Sequence, residues 1–166
     1  MKILGAMSLH LVYVLLILLH MQTSIGSNST IADDGVKCIE SERQALLAFK
    51  QGLVDENGWL SSWGGEEEKK NCCEWEGVQC SNTTGHITML NLMTYVYDHD
   101  FILRGKLSPS LFELQRLIYL DLSGNNFNLS DIQESISSLN KIQHLDLYNC
   151  NLSGSLPSQL ANLTIS

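Results

Sequence analysis

The same spacing of apolar residues occurs twice in the chain, in Leu114-Gln-Arg-Leu117-Ile-Tyr-Leu120-Asp-Leu122-Ser-Gly-Asn125-Asn-Phe127 and again in Leu139-Asn-Lys-Ile142-Gln-His-Leu145-Asp-Leu147-Tyr-Asn-Cys150-Asn-Leu152. Each apolar position of the second stretch lies 25 residues after its counterpart in the first. A fainter copy opens with Ile87, Leu90 and Leu92. Self-similarity at a fixed period of about 20–50 residues is typical of repeat proteins, whose units bury their apolar sides against one another.

Each copy contains a short alternation of apolar and polar residues, Leu120-Asp121-Leu122 in the first and Leu145-Asp146-Leu147 in the second. This alternation predicts a half-buried strand with leucines pointing inward and aspartates pointing outward. The full pattern L-x-x-L-x-L-x-x-N/C-x-L is the leucine-rich-repeat signature. The sequence therefore predicts an α/β repeat fold, a leucine-rich-repeat solenoid of about three coils.

Asn125 follows the first strand at the point where the chain must turn away. A buried amide at this point can bond backbone groups that the turn leaves unpaired, each of which would otherwise cost about 1–3 kcal/mol. Cys150 occupies the equivalent position of the next copy. We therefore expect Cys150 to be buried and not to be a disulfide partner.

The 166-residue chain has a formal net charge of -8, and its basic residues are scattered along the sequence. Nucleic-acid binding requires clustered Lys and Arg, so this balance argues against a nucleic-acid partner. No segment after residue 26 is apolar enough to cross a bilayer, which predicts no transmembrane span in this chain.

Residues 1–26 have the three parts of a secretory signal peptide: Lys2, an apolar run at 11–19, and small residues up to Gly26. The alternative, a membrane-anchoring helix, needs about 20 apolar residues, and histidines interrupt or end this stretch. We predict cleavage near Gly26, followed by a flexible lead-in over 27–37.

A short amphipathic helix is expected over 41–52. Ser41 and Gln44 have the spacing of a capping box, Leu46 and Phe49 form an apolar stripe, and Gly52 is a plausible stop. Such a helix would cover the open end of the leucine core.

Four cysteines, Cys38, Cys72, Cys73 and Cys80, are predicted to form two disulfides in a secreted chain. Of their three connectivities, the one joining the two sequence neighbours is strained, which leaves two. The alternative is a metal site formed by Cys72, Cys73, Cys80 and His86, but these residues lack the paired spacing of zinc ligands.

The order of motifs resembles the N-terminal cap of plant leucine-rich-repeat proteins. The motifs are Cys38, A-L-L-A-F-K at 45–50, L-S-S-W at 60–63, C-C-E-W-E-G-V-Q-C at 72–80 and T-G-H-I at 84–87. The resemblance covers 38–166 and is strongest to plant receptor-like proteins of the xylanase-receptor and scab-resistance type. It implies an N-terminal cap over 38–84, an incomplete array of repeats over 85–166, and the pairs Cys38–Cys72 and Cys73–Cys80.

The resemblance further implies an extracellular recognition module of a plant cell-surface immune receptor. Such a module binds a protein or peptide elicitor and signals through partner kinases. It would lie in the secretory pathway and then on the outer face of the plasma membrane, held by an anchor outside this chain, or in the apoplast. The alternatives are a secreted protein similar to polygalacturonase inhibitors, or part of the ectodomain of a leucine-rich-repeat receptor kinase.

The outward positions of the repeats form the candidate binding face: Met89, Asn91, Met93, Tyr119, Asp121, Ser123, His144, Asp146 and Tyr148. Aromatic residues with polar tips suit protein or peptide recognition. The alternative is that these coils serve only as cap and spacer. No catalytic motif or cofactor site occurs. Asp121 and Asp146 could form an acid–base pair, but an open face without a pocket favours a solvated or ligand-binding surface.

Five N-x-S/T sequons predict surface glycans in a secreted protein; they begin at Asn28, Asn82, Asn128, Asn151 and Asn162.

Overall fold

The computed structural model describes residues 36–94, 103–132, 136–155 and 158, and the backbone of 164–165. The predicted signal peptide and the sequons at Asn28 and Asn162 lie outside the described residues. So does most of the predicted lead-in. Among the residues described, no helix is both long enough and apolar enough to cross a membrane.

Helix α1 spans Glu40–Gln51 and ends at Gly52, as the sequence predicts. The capping box was a wrong prediction, since Ile39 is the N-cap residue and makes no side-chain cap bond. The Glu40 carboxylate instead binds the first turn, accepting hydrogen bonds from Arg43 Nη2 at 2.7 Å and Gln44 Nε2 at 2.8 Å. A charged acceptor makes strong hydrogen bonds, so the Gln44 side chain donates to Glu40 instead of accepting from the Ser41 backbone amide as a capping box requires.

The strands are short: β1 Leu53–Val54, β2 Val78–Cys80, β3 Ile87–Asn91, β4 Arg104–Gly105, β5 Tyr119–Asp121, β6 Ser130–Asp131, β7 His144–Asp146, β8 Leu152–Ser153 and β9 Thr164–Ile165. Five of them form one sheet in the order β2-β3-β5-β7-β9. The β2–β3 pair is antiparallel, and the remaining pairs of this sheet are parallel. Parallel pairing of successive strands is expected when each repeat returns the chain to the same edge.

The strand register confirms the repeat phase read from the sequence. Leu90, Leu120 and Leu145 lie side by side on β3, β5 and β7, and all three are fully buried. The leucines therefore point inward at the predicted spacing.

A second side of the repeats carries smaller elements. Strand β6 pairs in parallel with β8, and β1 pairs antiparallel with β4. Helical 3₁₀ turns lie at Pro109–Glu113 and Ile136–Ser138, with three more in the N-terminal region at Trp59–Ser62, Glu67–Lys69 and Cys72–Glu74.

A single apolar core runs from helix α1 into the repeats. Leu46 and Phe49 of the helix are fully buried in it, together with Leu111, Leu114 and Leu117. Burial of apolar surface stabilises the fold by about 25 cal/mol per Å² and is the main force holding these elements together.

The N-terminal region has its own aromatic stack and two disulfides. Trp63 stacks on Trp75 with ring centroids 5.3 Å apart, and Phe49 lies 6.4 Å from Trp63. The disulfides join Cys38 to Cys72 and Cys73 to Cys80, which confirms the pairing implied by the resemblance. Cys150 is free and buried, also as predicted.

Asn125 makes the backbone bonds predicted for it. Its Nδ2 donates to the carbonyl oxygens of Leu92 at 2.7 Å and Leu122 at 2.8 Å, and its Oδ1 accepts from the Leu103 amide at 3.0 Å. These bonds link consecutive repeats just beyond the ends of the strands.

The outer turns need positive φ at one repeated position. Gly105 has φ 137°, Gly154 has φ 90°, and Leu129, at the equivalent position, has φ 58°. The left-handed region costs an L-residue about 1–2 kcal/mol, which explains the glycine in two of three repeats. Leu129 shares the positive φ but not the strand pairing, since Ser130 and not Phe127 pairs with Leu152, and its side chain is 65% exposed.

Candidate recognition surface

The candidate binding face is carried by β3, β5 and β7 and the residues that follow them. The parallel register arranges it in rows. One row is Met89, Tyr119 and His144, and the next is Asn91, Asp121 and Asp146. Most of these side chains are half-buried, and Tyr148 at the end of the face is 66% exposed. The sequence-predicted residues are therefore brought together on one surface.

Tyr119 and His144 form a stacked pair on this surface. Their rings stack with centroids 4.2 Å apart and planes inclined by 8°. Partial burial, the neighbouring Asp121 carboxylate and its hydrogen bond to the Tyr119 hydroxyl raise the pKa of Tyr119, so the hydroxyl remains protonated at neutral pH. The pair presents a flat, rigid contact area that loses little conformational entropy on binding.

The row Asn91, Asp121 and Asp146, here called the polar row, has a structural role that the sequence analysis missed. Asn91 Oδ1, Asp121 Oδ1 and Asp146 Oδ1 each accept a hydrogen bond from the backbone amide two residues later, at 3.1, 2.9 and 2.8 Å. The side-chain oxygen at each strand end thus satisfies an amide that leaves the sheet. An Asn or Asp recurs at this position of each repeat, and this recurrence could have predicted the role.

The prediction that Asp121 lies on a solvated or ligand-binding surface did not anticipate how little of this carboxylate is exposed. Asp121 is only 5% exposed, because the Ser123 hydroxyl donates to it at 2.7 Å and the Tyr119 hydroxyl at 3.3 Å. Asp121 supports the face from beneath its neighbours, whereas Asp146 is half-buried.

Among the residues that the structure describes, two groups of side chains have metal-ligand composition. Cys38, Cys72 and Cys73 lie together, but their sulfurs are held in disulfides. Asp121, His144 and Asp146 place ligand atoms within 4.8 Å of one another. Both Asp121 oxygens already accept hydrogen bonds, so this group reads as part of the surface network.

A groove of about 470 Å³ opens beside the face, and the sequence analysis did not find it. Its basic side chains are His86, Arg116 and Lys141, here called the basic row. They are separated by 30 and then 25 residues, the same intervals that separate Leu90, Leu120 and Leu145. This spacing in the sequence could have predicted that the three basic residues lie side by side. Basic residues that are scattered along the chain are gathered by the repeat.

Three predicted glycosylation sites fall among the described residues. Asn82, Asn128 and Asn151 are exposed. The Nδ2 of Asn151 donates to Asn126 Oδ1 at 2.8 Å. Exposure is a requirement for modification, and glycosylation itself stays a prediction.

Family models match most of the region that these elements occupy. A leucine rich repeat N-terminal domain matches residues 39–81, and the leucine rich repeat model matches 116–139 and 141–163. The chain belongs to the leucine-rich-repeat proteins. The N-terminal match contains α1, the tryptophan stack and the Cys73–Cys80 disulfide, and it begins one residue after Cys38. The repeat matches contain β5 and β7 of the candidate face, and β3 lies before them.

Comparison with individual proteins gives the same family. Receptor-like protein EIX1 of Solanum lycopersicum is 43% identical over 156 residues, covering 89% of this chain and 14% of the relative. Receptor-like protein EIX2 of the same plant is 45% identical over 147 residues, covering 86% of this chain and 14% of the relative. The chain thus spans a small part of the length of these relatives.

Among solved structures, the Arabidopsis receptor kinase HAESA in complex with the peptide hormone IDA and the co-receptor SERK1 has a TM-score of 0.62 at 28% identity. The match covers 76% of this chain and 20% of that one. The fold is therefore that of a leucine-rich-repeat ectodomain.

Proposed function

We propose that the chain is an extracellular recognition module of a plant cell-surface immune receptor-like protein and binds a microbial protein or peptide elicitor. The observation that carries this proposal is the Tyr119–His144 stack on an open, in-register parallel sheet. Rigid aromatic residues with polar edges are the residues on which protein interfaces most depend. The polar row beside them supplies acceptors whose positions are set by the backbone.

The module is organised as a cap followed by repeats. The cap extends over 38–84, where helix α1 lies against the apolar core of about three coils, and the coils extend over 85–166. The leader at 1–26 is removed on secretion, and 27–37 is a lead-in. Two disulfides within the cap agree with an oxidising compartment, so the module acts outside the cell or on the outer face of the plasma membrane and carries glycans at its sequons.

Signalling requires a partner, because a recognition surface alone transmits nothing. The solved complex of HAESA, a peptide hormone and SERK1 supports a co-receptor kinase as that partner in the full-length protein. The alternatives remain a secreted inhibitor of a polygalacturonase, or part of a receptor-kinase ectodomain. All three functions depend on a binding surface and not on catalysis.

The test measures binding of the secreted chain to two purified fungal proteins, a xylanase and a polygalacturonase, by biolayer interferometry. We expect the xylanase to bind and the double variant Tyr119→Ala/His144→Ala to weaken binding at least about tenfold, since buried aromatic contacts contribute about 2 kcal/mol or more each. The control Val54→Ala removes an exposed apolar side chain of β1 instead and should leave binding unchanged.

Binding of the polygalacturonase alone would favour the alternative function, a secreted polygalacturonase inhibitor. Binding that is insensitive to the aromatic pair would contradict the proposed surface.

A further inference from the structure

The basic row lies at the edge of the sheet where β3, β5 and β7 begin. His86, Arg116 and Lys141 each precede by five residues a member of the row Asn91, Asp121 and Asp146, whose register is given by the sheet. Neighbouring strands are about 5 Å apart, so the three basic residues lie on adjacent segments of backbone.

The backbone is ordered close to this edge. The Ile118 amide donates to the Thr88 carbonyl at 2.8 Å, and the Gln143 amide donates to the Ile118 carbonyl at 2.8 Å. These bonds end two residues from Arg116 and Lys141. The basic side chains therefore project from a fixed edge.

The two permanent positive charges of this row, on Arg116 and Lys141, are uncompensated. His86 Nδ1 lies 2.8 Å from Glu42 Oε1. Arg116 and Lys141 are exposed and, within the part of the chain that the structure describes, make no ion pair or side-chain hydrogen bond. Like charges on neighbouring strands repel, and here they persist on a chain whose net charge is -8. An anion between them removes that repulsion.

The walls of the groove suit an amino-acid chain. Ile118 stands among the basic side chains and is 39% exposed, which offers an apolar contact at the centre. Thr88 and Gln143 add hydrogen-bonding groups at its sides. An acidic sugar polymer supplies carboxylates but no apolar side chain to cover Ile118, whereas a peptide supplies both.

We propose that the basic row binds an acidic segment of the protein or peptide ligand, with its carboxylates on Arg116 and Lys141 and an apolar side chain on Ile118. This inference rests on the proposed recognition function and deepens it. The opposite edge of the sheet carries Asp121 and Asp146, about 17 Å away along the strands. That edge repels carboxylates, so the ligand's acidic segment is directed to one edge of the face.

The experiment uses fluorescence anisotropy with a fluorescein-labelled peptide of alternating glutamate, leucine and glycine, and the same peptide with glutamine for glutamate. The secreted chain is compared with the double variant Arg116→Gln/Lys141→Gln. The matched control is Arg104→Gln/Lys106→Gln, which removes two exposed charges from outside the groove. Xylanase binding is measured in parallel on all three proteins and on Tyr119→Ala/His144→Ala.

We expect the glutamate peptide to bind in low salt and to weaken in high salt as screening shortens the reach of the charges. The groove variant should bind it about tenfold more weakly, and the control variant within about twofold of the parent. Equal loss in both variants, equal binding of the glutamine peptide, or no binding at all would overturn the inference. So would binding of an oligogalacturonate in place of the peptide. Xylanase binding that needs Tyr119 and His144 but not the basic row would leave the recognition function standing and remove only this inference.

Discussion

Asn125 and Cys150 donate to the same oxygen atom. Asn125 Nδ2 lies 2.8 Å from the carbonyl oxygen of Leu122, and Cys150 Sγ lies 2.9 Å from it. The two residues occupy equivalent positions of consecutive repeats, and each also reaches back to the preceding repeat: Asn125 to Leu92 and Cys150 to Leu122. A thiol can thus take the donor role of the amide, although it makes fewer bonds.

This relationship predicts unequal costs of substitution at the two positions. Asn125→Ala leaves the Leu103 amide and the Leu92 carbonyl without their partner and should lower the free energy of unfolding by about 2–5 kcal/mol. Cys150→Ser keeps a donor and should cost no more than about 1 kcal/mol. Urea denaturation followed by circular dichroism measures both. Equal losses would show that the thiol bond matters as much as the amide network.

The free thiol of Cys150 should be unreactive toward thiol reagents in the folded protein. Burial raises the pKa of Cys150 to about 12, with a smaller contribution from the nearby Asp146 carboxylate. The thiolate that reacts with maleimides is therefore scarce at pH 8. We expect no labelling of the native protein, and labelling of one thiol per chain after unfolding without reductant, by intact-mass analysis. Two or more labelled thiols would contradict the disulfide pairing.

Loss of the longer disulfide should be more harmful than loss of the shorter one. Cys38–Cys72 spans 34 residues and Cys73–Cys80 spans 7, which corresponds to about 4 and about 2 kcal/mol in the chain-entropy account. We expect Cys38→Ser/Cys72→Ser to abolish secretion of folded protein and Cys73→Ser/Cys80→Ser to reduce it. The yield of soluble secreted protein is measured against Cys150→Ser as the control. The opposite order would contradict this account.

Leu129 offers a gain in stability. Leu129→Gly relieves about 1–2 kcal/mol of left-handed strain against an entropic cost of about 0.5–1 kcal/mol, so the melting temperature should rise slightly. Leu129→Ala removes the exposed side chain but keeps the strain and serves as the control. A stabilisation that is the same in both variants would mean that the exposed apolar side chain, and not the backbone, was the liability.

Acid should remove the stabilisation that Glu40 gives to helix α1. Hydrogen bonds from Arg43 and then Gln44 lower the pKa of Glu40 to about 2. Since the folded-state pKa is depressed, the contribution is complete above the unfolded value near 4.5 and is lost as pH falls toward 2. We expect Glu40→Gln to melt below the parent at pH 6 and level with it near pH 2. Glu68→Gln, an exposed substitution outside the helix, is the control. A gap that persists at low pH would exclude this charge effect.

The repeat phase, the inward leucines and the role of Asn125 could be predicted because each follows from a fixed spacing. The absence of the capping box could not, since it depends on the Gln44 side chain bonding the Glu40 carboxylate. The burial of Asp121 depends on Ser123 and Tyr119 folding over it. The basic row was missed because its members are far apart in sequence and only the repeat interval joins them.

Hydrogen–deuterium exchange of the secreted chain with and without the bound xylanase tests the central claim most directly. If the strand face is the recognition surface, amide exchange should slow in segments 87–93, 118–123 and 143–148, and the outer segments 104–112 and 127–131 should exchange as before. Protection confined to the outer segments would contradict the account. So would unchanged exchange at saturating ligand.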